Sequence, residues 1–293
     1  MKTNQPFRLP LLALLALVMV LHACSKERSV ATDPLTEEQA ISYSDESAQA
    51  ESSFDDAEDL SLLAADDDDL AVTGRGYHPS FEELRLRLGP CATITVTPND
   101  STYPKTITVD FGDGCLCADG KYRKGAVITH LTGPIRRTGS VMTITFQNYY
   151  INRAHIQGTK IVTNQSTNGN LVFGVRVVNG SVTYPSGRGW EYQVERLVRQ
   201  VQGGGTRMIR DDVFEMTGRS NTAYNSGVRV TLNTESPLIK KVVCPWVSDG
   251  DLKIRINDRI LFLDFGAPDN GSCDNKALLT WNNGANQRLI TLP

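Results

Sequence analysis

Beyond residue 90 the chain alternates apolar and polar residues with a period of two, almost to its C-terminus. In 141–150, Met142, Ile144 and Phe146 fall on one side while Thr143 and Thr145 fall on the other. That is the pattern of a strand with one face in a core. The same reading predicts strands over 92–96, 105–110, 126–131, 141–150, 156–163, 171–178 and 190–194. Further strands are expected over 228–232, 239–243, 252–256, 260–265, 277–281 and 288–292. Thr, Val and Ile dominate these runs, as a half-buried pleated surface prefers. Asn168-Gly169, Asn179-Gly180, Ser186-Gly187 and Gly203-Gly204-Gly205 supply turns between them. The most helix-like stretches are 81–88 and 194–201. No regular helical pattern separates the strands, which argues against an α/β fold. The expected fold is all-β: an antiparallel multi-stranded sandwich or elongated sheet with two similar hairpin modules, preceded by a disordered tether.

The N-terminus follows a different logic. Lys2 and Arg8 precede an apolar run over 9–21 that is broken only by Pro10. A bilayer span needs about 20 apolar residues, so this shorter run suits a cleaved signal peptide. It ends in Leu21-His22-Ala23-Cys24, which is similar to a bacterial lipoprotein signal; Cys24 would then become the lipidated first residue of the mature chain. Ser25 in place of Asp favours the outer membrane, with its periplasmic and surface faces both open. Between 25 and 70 lie 15 acidic residues opposed only by Lys26 and Arg28. Ser and Ala fill most of the remainder, the composition of a solvated, disordered spacer. The four adjacent aspartates at 66–69 lack the alternating turn residues of a calcium loop. The division expected is a signal peptide at 1–23, a lipidated acidic linker at 24–75, and an all-β domain at 76–293.

The overall charge of −3 conceals an asymmetry. From Ala71 onward 26 basic residues face 18 acidic ones, so this part carries about +8. Such a domain attracts anionic glycans or headgroups; alternatively, its cations sit on solvent faces and partly neutralise their own linker.

Two segments, 91–146 and 244–293, share an order of features. Cys91, two strands, Asp110-Phe111-Gly112, Cys115 and a strand Lys124-Gly125-Ala126-Val127-Ile128-Thr129 form one copy. Cys244, two strands, Asp264-Phe265-Gly266, Cys273 and Lys276-Ala277-Leu278-Leu279-Thr280 form the other. Matching spacings favour disulfides Cys91–Cys115 and Cys244–Cys273 in an oxidising compartment. Cys117 is then left over, unless it replaces Cys115 as the partner of Cys91; a zinc or redox site at Cys115-x-Cys117 is the sharper alternative, although zinc wants four ligands.

Thr106 to Gly112, Arg123-Lys124-Gly125, Thr145-Phe146-Gln147-Asn148-Tyr149-Tyr150, Ile156-Gln157-Gly158-Thr159 and Asp264-Phe265-Gly266 with Cys273-Asp274 give the chain after Cys91 a family likeness. It resembles an uncharacterised family of Bacteroidota outer-membrane or surface lipoproteins. The resemblance implies anchoring and architecture, and transfers no catalytic residue.

Few patterns carry chemistry. The repeated Asp-Phe-Gly lacks the glycine-rich loop, strand lysine and His-Arg-Asp loop of a kinase; each Asp reads as a strand end that hydrogen-bonds the following turn, with Phe buried and Gly at positive φ. Asp110 and Asp264 also form the only glycosidase pairing worth naming, since two carboxylates roughly 5–9 Å apart serve glycoside hydrolysis. No Gly-x-Ser-x-Gly elbow exists, and His78, His130 and His155 lack metal spacing. Asp269-Asn270-Gly271-Ser272-Cys273-Asp274 reads as a disulfide-closed turn more than a calcium loop. Tyr149, Tyr150, Trp190, Tyr192, Trp246 and Trp281 would make a sugar platform if aligned on a solvent face, although Trp190 and Tyr192 share one face of a strand and read as core. The expectation is a lipid-anchored cell-envelope module with a structural, adhesive or ligand-binding role. It has no catalytic, metal or cofactor residues assigned and no nucleic-acid partner; its partners are the membrane and a glycan or envelope protein. An envelope glycoside hydrolase using Asp110 and Asp264 is the alternative.

Overall fold

The computed structural model describes residues 35–73, 80–167, 170–206 and 211–292, and residues 37–293 form one compact unit. The signal segment, Cys24, His78 and the Asn168-Gly169 turn lie outside the described residues.

The strands assemble into one antiparallel sheet: β1 (Thr93–Thr97), β2 (Lys105–Asp110), β3 (Cys115–Leu116), β4 (Tyr122–Leu131), β5 (Val141–Ile151), β6 (Ala154–Asn164) and β7 (Val172–Thr183), then β8 (Gly189–Gln202), β9 (Val213–Tyr224), β10 (Arg229–Lys241), β11 (Asp249–Ile256), β12 (Arg259–Asp264), β13 (Lys276–Trp281) and β14 (Asn286–Thr291). Apart from β3 they pair in chain order in a continuous meander, β2 with β4, and the short β3 pairs with the start of β4 off the main path. The all-β expectation holds, as a single sheet. Four local readings change: 228–232 and 239–243, expected as two strands, merge into the single strand β10, and Asn179-Gly180, expected as a turn, is a bulge inside β7. Residues 194–201 belong to β8 and are extended, and β9 was not anticipated at all. The inward side of β9 carries Gly218, Ser220 and Thr222, which interrupt any apolar alternation.

The larger correction concerns the linker. Residues 37–73, expected to be disordered, form helix α1 (Glu37–Thr73), and the backbone of 66–69 continues it. A short second helix, α2 (Glu82–Leu88), buries Leu84 and Leu88 before β1, close to the expected 81–88. The linker's composition hid a seam. Positions 40, 44, 47, 51, 54, 58, 61 and 65 follow one another at steps of four and three, the spacing of one helix face. They read Ala, Ser, Ser, Glu, Phe, Glu, Ser, Ala; Ala40, Ser44, Ser47, Phe54, Ser61 and Ala65 are buried. Small residues permit close approach to the sheet, but they carry little hydrophobic signal. Thr36-Glu37-Glu38-Gln39 has the residue order of a capping box, with acids in the first turn.

Helix α1 runs across the strands on one face of the sheet. Ile41 lies near β12, Ser47 meets Tyr224 of β9, Phe54 stacks on Tyr192 of β8, and Ser61 meets Thr129 of β4. From Ile41 to Ser61 the helix rises about 30 Å, whereas the eight strand spacings from β12 to β4 sum to about 38 Å along the sheet. The sheet therefore curves towards the helix. A line of bulges bends it: register shifts fall at Lys124/Ala126, Thr145/Tyr150, Gln157/Thr159 and Val177/Gly180 on adjacent strand pairs. Gly158 and Gly180 sit where this crease brings backbones together. A Cβ on Gly158 would lie 2.7 Å from the Gly180 Cα, and one on Gly180 would lie 3.1 Å from the Phe54 ring. Phe54 thus fills the crease, edge-on to Phe146 and stacked on Tyr192 with centroids 5.7 and 5.2 Å away.

Candidate binding surfaces

The inner face of the sheet carries a row of cations, and α1 supplies their counter-ions. Asp56, its side chain 1 % exposed, accepts from Lys121 Nζ at 2.7 Å, Arg87 Nη2 at 2.8 Å and Arg123 Nη2 at 2.8 Å. Arg123, fully buried, also grips Asp119 through Nη1 and Nη2 at 2.8 and 2.7 Å. Burial opposes ionisation of Asp56, but Arg123, Lys121 and Arg87 outweigh it and hold the carboxyl below its ordinary value. Farther along, Lys160 of β6 donates to Asp55 at 2.7 Å and pairs with Glu58. Burial works against the Lys160 charge, and those two carboxylates more than restore it, raising its pKa. Arg196 of β8 pairs with Glu51, and burial lowers it to about 10, leaving it charged at neutral pH. Arg188 binds Glu46 at 2.6 Å on the more exposed side. The excess charge of the two parts of the chain therefore meets within the fold. Of the two readings of the basic domain, neutralisation of its own acidic segment is the one seen, through buried inner-face cations as well as exposed ones.

A cleft of about 420 Å³ opens where α1 begins. Glu37, Ala40 and Ile41 form one wall and β12 with Trp281 the other; Leu261 shares the face of Trp281, while Ile260 and Phe262 alternate to the opposite face of the strand. Two neighbouring turns supply its rim, Asn257-Asp258 between β11 and β12 and Asn282-Asn283 between β13 and β14. Lys253 and Arg259 complete it. Asn257, Asn282 and Asn283 all hold positive φ, which asparagine tolerates and tight hairpins require. Lys253 reaches Glu235 at 3.9 Å and lies 5.8 Å from the Phe262 ring centroid.

The expected site residues fall in separate places. Cys91–Cys115 and Cys244–Cys273 are both bonded, with Cα atoms 5.5 and 5.6 Å apart. Cys117 is free and buried, and burial raises its thiol pKa. Among the described residues no cluster of three His, Cys, Asp or Glu side chains could hold a metal ion. Asp110 and Asp264 end β2 and β12, with eight strands between them in the sheet. Each turns back on its own loop: Gly112 N donates to Asp110 at 2.8 Å, and Gly266 N donates to Asp264 at 2.8 Å. Phe111 is buried and Gly112 has a φ of 55°, as expected. The second copy is looser, with Phe265 half-buried and Gly266 outside the left-handed region. In the 269–274 loop Ser272 Oγ donates to the Asp269 carbonyl and Lys241 Nζ to the Gly271 carbonyl, a closed turn. Tyr149, Trp190 and Tyr192 are core, and Tyr150 stacks on His155. Of the six aromatics singled out, Trp281 alone lines the cleft. The turn asparagines and Asp258 beside it were not singled out, because an Asn-Asp or Asn-Asn-Gly turn announces a hairpin whether or not it faces a ligand.

No family model, curated protein or solved structure matches this chain.

Proposed function

We propose that the protein is a lipid-anchored component of the bacterial cell envelope, held at the outer membrane through Cys24, whose sheet is a non-catalytic binding module. What carries the binding half is the cleft beside Trp281. It is concave, falls within the roughly 300–1,000 Å³ typical of small-ligand sites, and sets apolar walls under a few convergent polar groups. The anchoring half rests on the signal-like run and Leu21-His22-Ala23-Cys24, and the likeness to Bacteroidota lipoproteins supports it. Two or three acyl chains on one residue hold a protein firmly, at about 0.8 kcal/mol per buried methylene. No described helix is long and apolar enough to cross a membrane. Twelve residues separate Cys24 from the first residue of α1, thirteen chain steps with a reach of at most about 45 Å. The module would thus work close to the membrane surface.

The hydrolase reading of Asp110 and Asp264 is weaker, since each carboxylate is engaged with the turn it terminates. Mass spectrometry of the native protein tests the proposal: an acylated, thioether-linked Cys24 is expected, with Cys24→Ala released to the soluble fraction. A bare thiol, or a Cys24→Ala form that remains equally membrane-bound, overturns it.

A further inference from the structure

We infer that the cleft beside Trp281 is a site for an uncharged oligosaccharide, a conclusion that rests on reading the cleft as a binding site and names what it binds. One edge of the indole is tied down. Trp281 Nε1 donates to the Asn286 side-chain oxygen at 3.3 Å when that amide is oriented to suit both of its neighbours. The only polar atom of the ring is thereby engaged, and what Trp281 contributes to the cleft is apolar ring surface. Leu261, opposite Trp281 in the β12–β13 register, shares its face, with Ala40 and Ile41 of α1 across the cleft. A pyranose ring presents this wall with a matching face of C–H groups.

The rim meets the other half of such a ligand. Asp258, Asn282 and Asn283 are exposed polar side chains. Together an Asn amide and a carboxylate supply donors and acceptors that pair with neighbouring hydroxyls. The two asparagines are held by backbone turns with φ of 52° and 56°, so little conformational freedom is lost when they engage. Charge selects among ligands of this shape. Glu37 and Asp258 oppose Lys253 and Arg259, and Glu235 already engages Lys253, so the cleft carries no excess of positive charge. A phosphorylated or carboxylated ligand finds no net attraction there, and a bare acyl chain would strip water from four charged groups with nothing to replace it. A neutral sugar, with one apolar face and a hydroxylated edge, meets both requirements.

The test uses the detergent-solubilised mature protein, titrated by calorimetry and tryptophan fluorescence with cellotetraose, maltotetraose and N,N′,N″,N‴-tetraacetylchitotetraose. Tetragalacturonate serves as the charged counterpart. At least one neutral tetrasaccharide should bind and perturb the emission. Trp281→Ala should weaken that binding at least tenfold. Asn283→Gly removes the amide while tolerating the same φ, and should weaken binding several-fold with the thermal midpoint unchanged. Failure of all three neutral sugars to bind at millimolar concentration overturns the inference. So does binding that survives both substitutions, or a preference for tetragalacturonate. A protein found acylated at Cys24 that ignores all three sugars would overturn the sugar while leaving the anchored reading in place.

Discussion

At the scale of single residues, Asp56 concentrates the energetics of the fold. Three cations converge on a carboxylate that is 1 % exposed, and deleting one partner of a buried ionic cluster strands the others. Asp56→Asn is expected to cost about 3–5 kcal/mol in denaturant unfolding. Its pH signature has a definite sign. The folded pKa lies below the unfolded value of about 3.9. The stabilisation is therefore complete above about pH 4 and is lost as pH falls through the folded value. Unfolding free energy measured between pH 2 and 7 should show an acid limb that flattens in Asp56→Asn. Asp110 and Asp264 are a milder case: replacing either with Ala removes one or two turn hydrogen bonds and should cost about 1 kcal/mol, readable as a lowered midpoint. These aspartates were legible in the sequence, because an Asp followed two residues later by Gly at a strand end is a local signal. Asp56 was not. Its partners lie 31, 65 and 67 positions away, and nothing local distinguishes it from Asp55 or Asp59.

At the scale of elements, strands with an apolar inner face announced themselves, and β9, which meets α1 with small and polar residues, did not. β5 alternates Met142, Ile144 and Phe146 against threonines and is found where expected. β9 turns Gly218, Ser220 and Thr222 inward, beside Glu51 and Ser47 of the helix, so its alternation is erased by the partner it packs against. Helix α1 reads as a linker for the complementary reason: its buried residues are mostly small or acidic, and only Ile41, Phe54 and Leu60 among them are large and apolar. Phe54→Ala should therefore be disproportionately harmful, about 3–5 kcal/mol, because it empties the crease between Phe146, Tyr192 and Gly180. The cysteine spacings were more readable, since each pair brackets a two-strand unit. Replacing Cys244 and Cys273 together with Ser opens a loop of 29 residues and should lower stability by about 3 kcal/mol, measured by denaturation against the intact chain.

At the scale of the whole molecule, the acidic segment and the basic sheet are two halves of one folded unit. An acidic linker lifting a basic domain off a membrane and an acidic helix inside the curve of that domain have the same composition. Only the heptad-like spacing of small residues distinguishes them. The consequence reaches the cleft, because Glu37, Ala40 and Ile41 form one of its walls; if α1 is not docked, that site is incomplete. Hydrogen–deuterium exchange of the intact mature protein tests this docking directly. Peptides covering residues 40–65 should be protected to the same degree as those from β5 to β8, with the protection of 54–61 retained in 1 M NaCl because buried pairs are poorly screened. Exchange of 40–65 at the rate of an unstructured chain, beside a protected sheet, would contradict the account.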